Sequence, residues 1–403
     1  MRTFINSGVD IIGVIPSDWK VKRLQYLCTI NTGNQDTQNA EPDGAYPFYV
    51  RSPIIERSNN YTFDGEGILM AGDGAGAGRV FHHVFGKYAV HQRVYRLSRF
   101  SDDIDSRYLY YFLENLFPKR MDMGSAQSTV PSVRLPMLKT FQVCIPSLEE
   151  QKAISKTLDY HCSEIDAIIS DLQTQIKKLE EYKRSKIIEL VTLGLSPQKT
   201  KSSGVFYVGE INDRWKLSKI GYVCKKLVRT FNAEDDALIC SNKGKVSLRE
   251  SSVTGTMVSD DNAMQGIHQG DIAIHGMDTW HGAIAISEHS GKITRVVHVC
   301  DSIIDKRFVV YWLQSLAFQG VYKIISNGVR ENTSDFRSWD KMGDVCIAFP
   351  EDANEMRIIC DHLDSICREV EMIINNKKAQ LEVLDEYKKS LIYEYVTGKK
   401  EVV

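Results

Sequence analysis

Residues 7–20 read SGVDIIGVIPSDWK, and residues 203–216 read SGVFYVGEINDRWK. Ser7, Gly8, Val9, Gly13, Ile15, Trp19 and Lys20 each recur 196 positions later. The echo continues at a slowly growing offset. YLYYFL at 108–113 answers FVVYWL at 308–313, and Gly124 and Pro146 bracket the same interval as Gly328 and Pro350. The stretch from Leu158 answers the one from Leu363, now 205 apart. The ends of each copy match better than its middle. A period this long excludes stacked solenoid repeats. It predicts a frame built twice around two different inserts, a pseudo-dimer folded from one 403-residue chain.

Each copy closes on a long helical pattern. In the first, Pro146 precedes Ser147 and Glu150, which have capping-box spacing. Ile154, Leu158, Ile165, Ile168, Leu172, Leu179 and Tyr182 then recur at near-heptad intervals, and Gly194 is a stop signal. In the second, Ile359, Leu363, Ile366, Val370, Ile373, Leu384, Tyr387 and Leu391 make the seam, and Gly398 closes it. Residues 151–191 amount to roughly 60 Å of helix. A seam so narrow asks for one partner, and the other copy supplies it. The expected architecture is therefore two mixed α/β (α+β) domains separated by a long antiparallel two-helix coiled coil, a tandem pseudo-two-fold repeat. The boundaries are 1–145 and 201–349 for the domains, and 146–200 and 350–403 for the helices. Within the middles, GILMAG and DIAIHG read as buried strands and YLYYFLENL and FVVYWLQSL as helices.

Nine scattered cysteines without a C-x-x-C pair predict reduced, mostly buried thiols. No run is apolar enough to cross a bilayer, and the opening lacks signal-peptide order, so a cytoplasmic protein is expected. Net charge is −2, but it is uneven: residues 1–145 and 197–349 carry +2 each, whereas 146–196 and 350–403 carry −2 and −4. Basic charge is slightly favoured in the middles.

Catalytic patterns are missing. GDGAGAGR at 72–79 lacks both the G-K-[ST] ending of a phosphate loop and dinucleotide-fold spacing. In the second copy only its bounding glycines persist, as GMDTWHG at 276–282, which favours a turn. No H-E-x-x-H, no G-x-S-x-G, no Pro-Pro of an amino-methyltransferase motif and no metal-ligand spacing occurs. The middles do supply side chains able to read bases: Arg and Lys on guanine, Asn and Gln on adenine. The DNA-binding candidates are Arg51, Arg57, Arg79, Gln92, Arg93, Gln127 and Arg134 in the first middle. In the second they are Lys243, Lys245, Arg249, Trp280, Arg295, Arg330, Asn332 and Arg337.

Taken together, SGVDIIGVIPSDWKVKRL, MGSAQSTVPSVRLPMLKTFQVCIPSLEEQKAI at 123–154 and the LEEYKRSKIIELVTLGL helix, all repeated, resemble the specificity subunits of type I restriction–modification systems. Two departures stand out: Asn212 replaces the usual Pro of the second opening, and the second helix entry, FPEDANEMRII, lacks the Glu150-Gln151 pair. The resemblance implies two target-recognition domains on double-stranded DNA, each reading half of a split, asymmetric site. It implies helices that act as ruler and dock for two methyltransferase (modification) subunits, with motor-nuclease (restriction) subunits joining. This chain would carry no catalysis and no cofactor, with S-adenosylmethionine, ATP and Mg on the partners. A coiled-coil scaffold with two protein-binding heads and no DNA is the other reading the residues leave open.

Overall fold

The computed structural model describes residues 2–124, 131–196, 199–249, 261–326 and 335–402. They form two compact units, Met1–Leu172 with Lys378–Val403, and Gln173–Lys377. Each unit therefore takes part of both long helices, Leu148–Leu193 and Ala353–Val396. The division is not the linear one of head, helix, head, helix. Each head is built together with the start of the helix that follows it and the end of the other helix.

In the first unit the opening folds back as Phe4–Asn6 against Val14–Pro16. The turn works because Gly8 and Gly13 sit at φ +74° and +76°, where a side chain would be strained. Lys20–Arg23 then pairs with Gln142–Ile145. A four-stranded antiparallel sheet follows, in the order Thr29–Thr32, Val94–Ser98, Gly67–Ala71, Phe81–Val84. The predicted GILMAG strand is its all-buried member. Helix Ser106–Gly124 covers it, with Tyr108, Leu109, Phe112, Leu113 and Leu116 inaccessible. A second sheet, Glu56–Ser58, Tyr46–Tyr49, Lys87–Val90 and Phe63–Asp64, completes the head. The core takes in Ile154, Leu158, Cys162 and Ile165 from one long helix and Leu391, Ile392, Tyr395 and Val396 from the other.

The second unit repeats the frame. Thr200–Ser202 pairs with Glu210–Asn212, Lys216–Lys219 with Cys346–Phe349, and a sheet runs Cys224–Lys226, Val297–Ser302, Ile272–His275, Ile284–Ile286. Its strand order matches that of the first sheet under the sequence repeat. Helix Lys306–Phe318 covers it. What differs is the rest of the insert: a hairpin, Leu238–Ser241 with Lys245–Leu248, and a second ladder, Met264–Ile267 with Gly291–Thr294, meet through the parallel bridge of Ala237 with Lys292 rather than a continuous second sheet. Ile187, Leu190 and Val191 enter this core beside Ile359, Cys360 and Leu363.

Duplicated polar contacts show what the repeated residues are for. Trp19 Nε1 donates to Glu150 Oε2 at 3.2 Å, and Trp215 Nε1 donates to Glu355 Oε1 at 3.1 Å. Tyr111 and Arg107 meet on Asp159 just as Tyr311 and Arg307 meet on Asp364. One departure acquires a reason and the other a counterpart. Asn212 Nδ2 donates to Leu193 O at 2.9 Å, satisfying a carbonyl that a helix end leaves unpaired. Gln151, buried and bonded to Asp103 O, Pro146 O and Asp105 N, gives way in the second copy to the equally buried Met356.

The seams need correction at matching places. Ile168 and Ile373 are exposed, and so are Tyr182 and Tyr387. Cys162 and partly buried Ile169 take the inward positions of the first helix, and Ile374 that of the second. A helix turns once per 3.6 residues, so a strict heptad drifts off the buried face. Ser147 Oγ does accept from Glu150 N–H, but the Glu150 carboxylate goes to Trp19 and Arg2, so only half of the capping box forms.

Candidate nucleic-acid interface

Both heads carry the same backbone device at one end of the shared sheet. Gly72 N–H donates to Arg93 O at 2.8 Å and accepts at its carbonyl from Val133 N–H at 2.7 Å. Gly276 does the same with Val296 O at 2.9 Å and Phe336 N–H at 3.0 Å. A Cβ on Gly72 would lie 2.7 Å from Arg93 O, and one on Gly276 2.8 Å from Phe336 O. This close approach explains why the first glycine of each loop persists while the loop changes. The end of the device is tied to the sheet by Tyr95 OH on Val133 O at 3.1 Å in one head. In the other, His298 Nε2 donates to Phe336 O at 2.6 Å.

In the first head this end gathers several of the predicted residues. Arg51 Nη1 donates to Asp73 Oδ1 at 3.1 Å and Arg93 Nη1 to Asp73 Oδ2 at 2.6 Å. Burial pushes the Asp73 carboxyl up, but Arg93 and Arg51 outweigh it and hold it below its ordinary value. Gln92 Nε2 donates to Asp36 Oδ2 at 2.8 Å. Arg134, exposed, follows Val133 directly. The turn beneath them is closed: His91 N–H donates to Tyr49 O, Gln92 N–H to Gln35 O, and Val94 N–H to His91 O. His91 Nδ1 accepts from Arg93 N–H at 3.0 Å. Burial first, then the Arg51 charge, keeps His91 below its ordinary value, which preserves that acceptor.

Two first-head candidates are engaged elsewhere. Arg57 folds onto Gly44 O and Ala45 O at 2.8 and 3.0 Å, bracing its own strand pair. Arg79 pairs with Asp122 on the covering helix. Gln127 lies outside the described residues.

In the second head Arg337 follows Phe336 at the matching end and is exposed. Arg295 sits in the turn between Gly291–Thr294 and Val297–Ser302, with Nε donating to Met264 O at 2.9 Å. Trp280 lies in the Gly276–Gly282 loop, with the Lys323 ammonium 4.2 Å above its ring and His281 4.5 Å away. Lys243 is exposed in a hairpin turn, and Arg249 is half-buried just past it. Lys245 reaches Glu371 of the long helix at 3.2 Å, sharing that carboxylate with Lys183. Arg330 and Asn332 lie outside the described residues. Sequence reasoning that sought donors for bases passed over Asp73 and Asp36, the acceptors that aim them. The one signal for Asp73 is its place after the repeated Gly72.

Residues 16–178 match the type I restriction modification DNA specificity domain. The EcoDI type I specificity subunit of Escherichia coli is 22% identical over 331 residues, 76% of this chain and 72% of its own. The MjaVIII specificity subunit of Methanocaldococcus jannaschii is 27% identical over 51% of this chain, which spans 49% of that relative. The first part of the chain thus carries a type I restriction modification DNA specificity domain. A solved chain from work on complex assembly and conformational transition of the type I R-M system shares this chain's fold. The TM-score is 0.64 at 14% identity, over 96% of this chain and 99% of that one. The molecule is mixed α/β with a 46-residue helix, Leu148–Leu193. No described helix is long and apolar enough to cross a membrane.

Proposed function

We propose that this chain is a specificity subunit that recognises DNA sequence for a type I restriction–modification complex, reading a bipartite, asymmetric site with its two heads. The observation that carries this reading is one frame built twice around unlike inserts, with Trp19–Glu150 and Trp215–Glu355 as its matched joints. A symmetric homodimer reads palindromes because its symmetry is imposed on the site. A fused pair with different inserts escapes that constraint. The two long helices act as an antiparallel coiled-coil ruler for half-sites roughly one helical turn, about 34 Å, apart. Lys183 on Glu371 and Lys388 on Asp166 are the kind of bonds that would hold their register. The same helices dock two modification subunits, and restriction subunits join them. Ile168 and Ile373, exposed at equivalent positions, suit a twice-presented dock. The chain itself is non-catalytic, works in the cytoplasm, and leaves S-adenosylmethionine, ATP and Mg to its partners.

Mapping modified bases in the host genome with and without the chain tests this directly. The expected result is a two-part motif that disappears with the chain. Exchanging residues 25–140 for a relative's should change one half of that motif and leave the other. Binding should weaken linearly in log–log form with salt as phosphate contacts release counterions. A chain that binds its protein partners but leaves no motif and no salt-dependent DNA binding is a scaffold instead.

A further inference from the structure

Asp73 is a half-hidden carboxylate between two exposed guanidinium groups. Its side chain is 16% exposed, those of Arg51 and Arg93 44% and 63%. Three chain segments deliver the three residues: the end of Tyr46–Tyr49, the loop after Gly67–Ala71, and the turn before Val94–Ser98. Exposed ion pairs contribute little to stability. The loop that carries Asp73 also closes on its own backbone, through Ala77 N–H to Gly74 O, Gly78 N–H to Ala71 O and Val80 N–H to Gly76 O. The fold therefore does not require the pairs, and they have another use. A guanidinium has five donors, so one Nη1 bond to a carboxylate leaves a planar edge for a base. Arg93 also stands on a turn whose backbone is fixed on every side, so its aim is set before any ligand arrives.

We propose that Arg93 reads a guanine edge in one half-site and that Asp73 is the positioning residue that orients it. Arg51 leaves the cluster with net positive charge, so that the carboxylate does not repel phosphate. Among the described residues the device belongs to the first head alone. The residue after Gly276 is Met277, and Val296 stands where Arg93 does, so the second head reads its half-site by other means. The inference rests on the reading of the chain as a DNA-recognition subunit.

The test uses the full chain with its modification partner and genomic DNA as the probe. Wild type should yield a two-part motif with guanine in at least one half. Arg93→Ala should relax a guanine position in one half, lowering discrimination there by about tenfold or more. Asp73→Asn, nearly isosteric, should relax the same position. The second half should stay intact in both variants, which also reports that the chain is folded. Arg93→Lys should not restore discrimination, because an ammonium lacks the two-pronged edge. An unchanged motif in Arg93→Ala and Asp73→Asn, or a relaxed position that is not guanine, overturns the assignment while DNA recognition stands. A wild-type chain that directs no motif overturns DNA recognition itself and the assignment with it.

Discussion

Trp19 and Trp215 look interchangeable but carry different loads. Each indole bonds the carboxylate at the start of the long helix that follows it, yet Glu150 also accepts from Arg2 at 2.7 and 3.0 Å. A hydrogen bond to a charged group is worth about 1.5–3 kcal/mol. Trp215→Phe should therefore cost about that much in chemical denaturation, and Trp19→Phe measurably less, because Arg2 still holds Glu150. Histidines impose a pH limit. Burial first of all holds His82, His83, His91, His275 and His298 below their ordinary 6.5. The unfolded chain then takes up protons before the folded one does, so the stability these histidines contribute is complete above pH 6.5 and declines as pH falls below it. Melting temperature against pH should show this fall. His298→Gln, whose amide can still donate towards Phe336 O, should flatten part of it.

The long helices end where the sequence says they should. Gly194 and Gly398 adopt φ +77° and +70°, the left-handed stop. An L side chain there costs about 1–2 kcal/mol from backbone conformation alone. Gly194→Ala adds a contact of 3.2 Å to Trp215, but Gly398→Ala would place Cβ 2.5 Å from Pro16 and 2.9 Å from Trp19. Thermal unfolding should rank Gly398→Ala clearly worse than Gly194→Ala. Helix existence, strand identity and stops were legible because glycines, caps and apolar runs encode them locally. The inward face was not wholly legible. Choosing Ile168 over Ile169, or Ile373 over Ile374, depends on accumulated twist and on neighbours brought in from distant sequence. Nor were the partners of the base-reading candidates legible, since Arg51, Asp73 and Arg93 meet only after three strands are placed. Local pattern therefore marked Arg57 and Arg79 as strongly as Arg93, although Arg57 braces its own strands and Arg79 pairs with a helix.

At the scale of the molecule the repeat foretold two copies of one frame, but not how each core is closed. The first core needs Leu391, Ile392, Tyr395 and Val396, and it is latched by Tyr108 OH on Val396 O at 3.0 Å and Asn115 Nδ2 on Lys389 O at 2.7 Å. The second unit, Gln173–Lys377, is one continuous stretch. Stopping the chain after Lys377 should therefore damage the earlier head and spare the later one. Hydrogen exchange should show the protection of Ser106–Gly124 collapse while that of Lys306–Phe318 persists.

That arrangement has a consequence for biosynthesis. Tyr393 OH must find Ile12 O across 381 positions. The ribosome thus emits every residue of the later half before the earlier one can seal, and domains tend to fold as they emerge. A transcript cut short would leave its opening portion unsealed and open to proteases, so that quality control clears the half-built product before it accumulates.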